Sequence, residues 1–433
     1  MNVLGLIGLI VGIAFLMYCC MKGINLYIST MVTALIIIVT NQMPILVTMN
    51  TSFFSGFGSF FASWTLLYLA GALFGKFMEI TGSATAVAKL ILKFAGKRFS
   101  VIAMCVAIGL LGYGGVTGFA IVFAAFPFCL QVFREANLPR RFIPCIMIFG
   151  MGTFLNSAPG SPQGLNVITT ETMGLPLTAG PLWGAIAAIF CFVMGSVWLT
   201  IMMKKAVAAG ECFVVNEKKD NVDIPDNLPN GFIALLPMMV TCFLINFKVD
   251  GTVLVDVRVG LLIGALLCIL LNYTRIPWNR MLEILGTAAT GNINICGTIG
   301  TVVAIGYVVQ ATPVFQDIVT WVTSLQISPF VSLIIAVNVM AAVTGSATSA
   351  CSLMTPILGP IYVGMGLDPG IVARTIAVGS TGFDSMPHNG AIVLAIDMAG
   401  CNHKEAYMPI FKTCAITPIC SCIFMTICYT FFG

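Results

Sequence analysis

Residues 114–128 read GGVTGFAIVFAAFPF, and residues 343–357 read VTGSATSACSLMTPI. Each sets a cluster of Gly, Thr or Ser inside an apolar run, at an offset of about 230 residues. Two further pairs keep the same order and nearly the same offset. GKFMEI (75–80) matches GYVVQA (306–311), and FLNSAPGSPQGLNVI (154–168) matches FDSMPHNGAIVLAI (383–396). Three matches in register predict an internal repeat, 1–203 and 231–433, around the polar stretch 204–230.

The two Gly-rich clusters split the apolar stretches 100–133 and 329–363 into short arms. At 1.5 Å per residue, a 14-residue arm reaches roughly 21 Å, short of the roughly 30 Å hydrocarbon core of a bilayer. Each stretch therefore reads as a re-entrant hairpin. Irregular backbone at membrane depth survives only where protein or water satisfies its polar groups.

Composition fixes the solvent. The chain has 433 residues, 59% hydrophobic and 8% charged, against roughly 25% charged in a soluble domain. Lipid is the medium that suits such a surface. Net charge is +4 with no basic run, which excludes nucleic acid as a partner. Apolar runs near 3–20, 25–42, 58–80, 142–170, 181–203, 232–247, 255–273, 288–310, 371–399 and 409–431 give about ten spans. The fold class is an all-α polytopic membrane protein, with two spans broken and two hairpins added. The sixteen cysteines sit mainly in apolar runs, where they act as small hydrophobes. They offer no metal-ligand spacing, and no cofactor is expected. The N-terminus reads as a retained helix rather than a cleaved signal.

Charge tests the repeat. Residues 81–99 carry Lys89, Lys93, Lys97 and Arg98, while 312–330 carry no Lys or Arg. Arg134, Arg140 and Arg141 likewise lack counterparts at 363–370, and Arg275 and Arg280 lack them near 44–49. The basic side swaps between halves, as inverted repeats require. Threading from an outside N-terminus puts every basic residue inside except Lys248, Arg258 and Arg374. The stretch 204–230 then becomes a solvated cytoplasmic linker.

The hairpin tips (112–118, 343–349) and the broken spans (156–164, 384–390) should meet near the midplane, where such transporters bind substrate. Glycine at Gly115 permits close backbone approach. Thr117, Asn156, Ser157, Ser161, Ser346, Thr348, Ser349 and Asn389 supply neutral donors. Half-helix N-termini add their dipoles. No Lys or Arg is assigned to these breaks. The pattern suits a small organic anion. Small polar residues also serve helix packing.

Asp384 and His388 lie four residues apart in the second break. Ionisable residues at membrane depth are costly and point to function. The pair is a candidate for the coupling proton or for holding the substrate carboxylate. A structural Asp–His hydrogen bond is the plainer alternative. Glu79, Glu171, Asp317, Asp397 and His403 read as interfacial, capping or exposed. No nucleophile or metal motif supports an enzyme.

GKFMEITGSA (75–84), SAPGSPQG (157–164), GSATSA (345–350) and DSMPHNGA (384–391) resemble the gluconate permease family of gluconate:proton symporters, within the ion transporter superfamily. The PHNG form is more similar to the hydroxybutyrate-permease branch. The resemblance implies proton-coupled import of a hydroxy or sugar acid across a bacterial inner membrane. It also implies a homodimer with elevator-like movement of the site. Sodium remains an alternative coupling ion, and a cation/proton antiporter or anion exporter an alternative function.

Overall fold

Backbone amides inside a bilayer have no water to bond, so an apolar chain of this kind satisfies them within helices. The computed structural model describes residues 3–22, 24–95, 99–116, 118–216, 227–246, 248–249, 252–253, 255–315, 317, 328–387 and 389–433. Helices dominate. In the first half they are α1 (Val3–Met21), α2 (Leu26–Thr40), α3 (Ile45–Ile80), α4 (Ser83–Ala95), α5 (Ser100–Tyr113), α6 (Gly118–Glu135), α7 (Ile143–Gly152), α8 (Gly164–Thr172) and α9 (Pro181–Ala208). The second half has α10 (Gly231–Asn246), α11 (Val257–Leu271), α12 (Trp278–Gln310), α13 (Pro329–Thr344), α14 (Ala347–Gly364), α15 (Pro369–Ser380), α16 (Gly390–Met398) and α17 (His403–Phe432). A two-residue antiparallel ladder, Lys248–Val249 with Thr252–Val253, lies between α10 and α11.

Among the described residues, α3, α9, α12 and α17 are long and apolar enough to cross a bilayer. The shortest, α9, has 28 residues and reaches about 42 Å, beyond the roughly 30 Å core. It exposes Leu182, Ile189, Val193 and Val197, a surface suited to lipid.

Two boundaries differ from the sequence reading. Helix α3 starts at Ile45 rather than near 58, because a π-helical turn at Met49–Phe54 carries the polar Asn50, Thr51 and Ser52 without ending the helix. The polar stretch 204–230 begins inside α9, which continues to Ala208. Beyond it, Glu211 pairs with Arg141 at 2.7 Å and Phe213 N–H donates to Asn137 Oδ1 at 3.2 Å, docking this segment on the α6–α7 loop. Residues 217–226 lie outside the described residues.

Spans 142–170 and 371–399 are each interrupted, α7 from α8 and α15 from α16. The halves interlock there. Helix α8 packs on α14, whereas α16 packs on α6 and α7. One apolar core gathers α5, α6, α7, α10 and α16, and a second gathers α2, α12, α14 and α15. Helix α3 contributes Phe74 to the first and Phe60 to the second.

Candidate functional site

The chain leaves a cavity of about 380 Å³ where both breaks meet the two tips, the turns between α5 and α6 and between α13 and α14. Gly115 and Gly118 line it from the first tip, and Asn156, Pro162 and Gln163 from the first break. Ser346, Thr348 and Ser349 come from the second tip, and Asp384 and Asn389 from the second break.

Glycine makes both tips possible. Gly115 has φ +103°, and an added Cβ there would fall 2.3 Å from Leu261 Cδ2. Gly345 ends α13 at φ +57° in the left-handed region. Ser346 then caps α14, its side chain accepting from Ser349 N–H at 3.3 Å. Asn389 caps α16 through Oδ1, which accepts from Ala391 N–H at 2.7 Å and Ile392 N–H at 3.3 Å. Its Nδ2 donates to Asp384 O at 3.0 Å, closing the second break on itself.

Four helices begin at the cavity wall: α6 at Gly118, α8 at Gly164, α14 at Ala347 and α16 at Gly390. Each N-terminus carries about half a positive charge. Three begin with glycine, although Asn389 already takes up two N–H groups of α16 and Ser346 one of α14. Helix α8 lacks a side-chain cap. Ser349 is fully buried, and its Oγ has no hydrogen-bond partner among the described residues. A buried hydroxyl left unpaired costs about 1–3 kcal/mol. Ser385 Oγ donates to Asp384 Oδ1 at 3.0 Å. The Asp384 carboxylate also faces the Ala347 N–H at the start of α14.

The structure separates the remaining candidates. Ser157 and Ser161 are buried but do not line the cavity. Their carbonyls face the other way, Ser157 O accepting from Arg374 Nη1 at 2.9 Å and Ser161 O from Asn166 Nδ2 at 2.7 Å. Thr117 and His388 lie outside the described residues. Arg374, set apart by the charge threading, contacts the first break from another helix. This residue, fully buried on α15, holds the first break from behind. Among the described residues, no Lys or Arg lines the cavity itself.

Several contributors had no sequence signal strong enough to stand out. Gln163 Nε2 donates to Gly112 O at 2.6 Å and Val116 O at 2.8 Å, tying the first break to the first tip. Tyr113 Oη donates to Pro159 O at 2.9 Å across the same junction. Asn292, Asn294 and Thr298 of α12 and Tyr68 of α3 form the opposite wall. Tyr68 Oη lies against Gly164, where a Cβ would approach within 2.7 Å.

The model of the GntP family permeases matches residues 4–428. The chain belongs to the GntP permease family. The permease is 26% identical to the uncharacterized transporter YxjC of Bacillus subtilis (strain 168), over 95% of this chain and 97% of that one. Its fold is similar to that of the YdaH transporter of Alcanivorax borkumensis, with a TM-score of 0.60 at 15% identity over 89% of each chain. At that identity the likeness speaks for the fold alone. Family and relatives point to a membrane transporter rather than an enzyme.

Proposed function

We propose that the permease is a secondary transporter importing a small organic acid anion, a hydroxy acid or sugar acid such as hydroxybutyrate or gluconate, by proton symport. One observation carries this reading: four helix N-termini and the unpaired Ser349 hydroxyl converge on one cavity that, among the described residues, no cation lines. Dipoles and neutral donors bind an anion firmly enough to select it and loosely enough to release it. About 380 Å³ lies toward the small end of the roughly 300–1,000 Å³ common for small-molecule sites.

Asp384 supplies the coupling. It is the carboxylate on the cavity wall, and it faces the start of α14. A substrate carboxylate arriving at that helix end would meet a like charge at close range, which costs energy unless one is neutralised. Protonation of Asp384 and binding of the anion are thereby linked. His388, beside it in sequence, shares this role. In this reading the permease has two inverted repeats with re-entrant hairpins α5–α6 and α13–α14, forms a homodimer, and moves the cavity against α3 and α12 in an elevator-like displacement across a bacterial inner membrane.

Uptake by purified permease in proteoliposomes tests the reading, with labelled C3–C6 hydroxy and sugar acids under an imposed proton gradient, an imposed sodium gradient, or neither. Proton-driven accumulation of one acid is expected. Accumulation driven by sodium alone would replace the coupling ion, and no uptake of any acid would overturn the substrate class.

A further inference from the structure

Arg374 is the feature that neither the motifs nor the family membership explains. It sits on α15, all of whose residues from Gly370 to Ser380 are buried. Its own exposure is 0%. Nη1 donates to Ser157 O at 2.9 Å and Nη2 to Asn166 Oδ1 at 2.5 Å, while Nε has no hydrogen-bond partner among the described residues. Among the described residues no carboxylate lies within ion-pair distance of it. Taking a guanidinium out of water without a counterion costs several kcal/mol even after relaxation. A neutral residue of similar volume would fill the space at lower cost, so the charge itself has a use.

Its surroundings are built to admit it. The stem lies in a groove floored by Gly180 and Gly184, where an added Cβ would fall 2.8 Å from Cγ and 2.9 Å from Cδ. The contacts beyond the guanidinium are equally directed. Asn166, which accepts from Nη2, donates onward to Ser161 O at 2.7 Å. Arg374 thus fixes the first break at Ser157 directly and at Ser161 through Asn166. Between and beside these points, Asn156, Pro162, Gln163 and Gly164 present the front of the same segment to the cavity.

We infer that Arg374 is a positioning residue for anion binding: from behind the cavity it holds segment 156–166 in its cavity-lining form and biases that wall positive without touching the substrate. The inference rests on the organic-anion reading above. It places the fixed charge one layer behind the site, where water and substrate do not reach it.

The test uses full-length permease in proteoliposomes as wild type, Arg374→Lys, Arg374→Met and Gly184→Ala, with labelled gluconate and 3-hydroxybutyrate as probes. In parallel, amide hydrogen exchange is followed in detergent. Arg374→Met is expected to raise KM for the transported acid about tenfold or more, as expected for lost charge-assisted hydrogen bonds, with Vmax changed about twofold or less. Arg374→Lys keeps the cation but not the fork and should recover part of that loss. Gly184→Ala, which leaves the charge in place but displaces the stem and Pro159, should also raise KM. Exchange should quicken in 153–166 and stay unchanged across α9 in Arg374→Met. Unchanged KM and local exchange would overturn the inference, and so would exchange rising across the whole chain. Wild-type vesicles that accumulate neither probe would count against the substrate reading, leaving the exchange measurement to decide the role of Arg374.

Discussion

Gln163 Nε2 donates to the Gly112 carbonyl at 2.6 Å, joining residues 51 positions apart at the rim of the cavity. The same nitrogen reaches Val116 O at 2.8 Å, just beyond the end of α5. Gly112 O also accepts the Gly115 N–H at 3.0 Å, so the Val116 carbonyl is the one that depends on Gln163. Gln163 welds the first tip to the first break. Gln163→Leu, close in volume, strands Val116 O. A loss of about 1–3 kcal/mol is expected from one unpaired acceptor, seen as a lower thermal midpoint in detergent together with reduced uptake. Unchanged stability would show the bonds to be dispensable.

Ser349 makes the opposite forecast. Its Oγ is buried and unpartnered, so Ser349→Ala removes an unsatisfied group. Stability should hold or rise by about 1 kcal/mol. Affinity for the transported acid should fall about tenfold, the worth of one hydrogen bond to a charged group. The separation of the two effects is the diagnostic feature, read by thermal unfolding alongside saturation uptake. Equal affinity in the variant would remove Ser349 from the site.

Gly115→Ala forces a Cβ into the left-handed region and to within 2.3 Å of Leu261 Cδ2. Strain of about 1–3 kcal/mol is expected from the backbone alone, with the clash added. Transport should be lost. Gly115→Ala combined with Leu261→Ala should recover folding in part, measured as monodisperse yield in detergent, because the clash is relieved while the backbone strain stays.

Asp384→Asn keeps the shape of the carboxylate and its contacts to Ser385 and α14 but holds no exchangeable charge. Under the coupling proposed above, the variant should still exchange internal for external acid but fail to accumulate it against a gradient. Counterflow and gradient-driven uptake in the same vesicles check this. Normal proton-driven accumulation would remove Asp384 from coupling.

The Arg141–Glu211 pair serves as a control. Both side chains are about a third exposed, at 32% and 38%, and exposed pairs contribute about 0–1 kcal/mol. Arg141→Ala should leave stability within that range and transport unchanged, as measured by the same two assays.

How much of this was written in the sequence follows from the range of the interactions. Glycine, proline and serine act locally, so the tips at Gly115 and Gly345 and the interruptions before Gly164 and Gly390 were legible from composition alone. Asn389 carries its cap within three residues. Arg374 meets Ser157 across 217 positions, and its sequence neighbours give no sign of that pairing. Charge threading therefore set it apart as a topological exception. Ser157 and Ser161 show the converse limit. Their composition matches that of Ser349, but the turn aims their carbonyls at Arg374 and Asn166 rather than the cavity. On α12, Asn292, Asn294 and Thr298 sit among glycines in GNINICGTIG, a composition that helix packing uses as readily as a binding site does. Only the approach of α3 and the tips turns them into a wall.

The position of the substrate carboxylate decides the site. A structure of the full-length permease with the transported acid bound should place that carboxylate within about 3.2 Å of Ser349 Oγ, with further donors from the first turns of α8, α14 or α16. A carboxylate bound outside the cavity, or held there by a lysine or arginine side chain, would contradict recognition by helix ends and neutral donors.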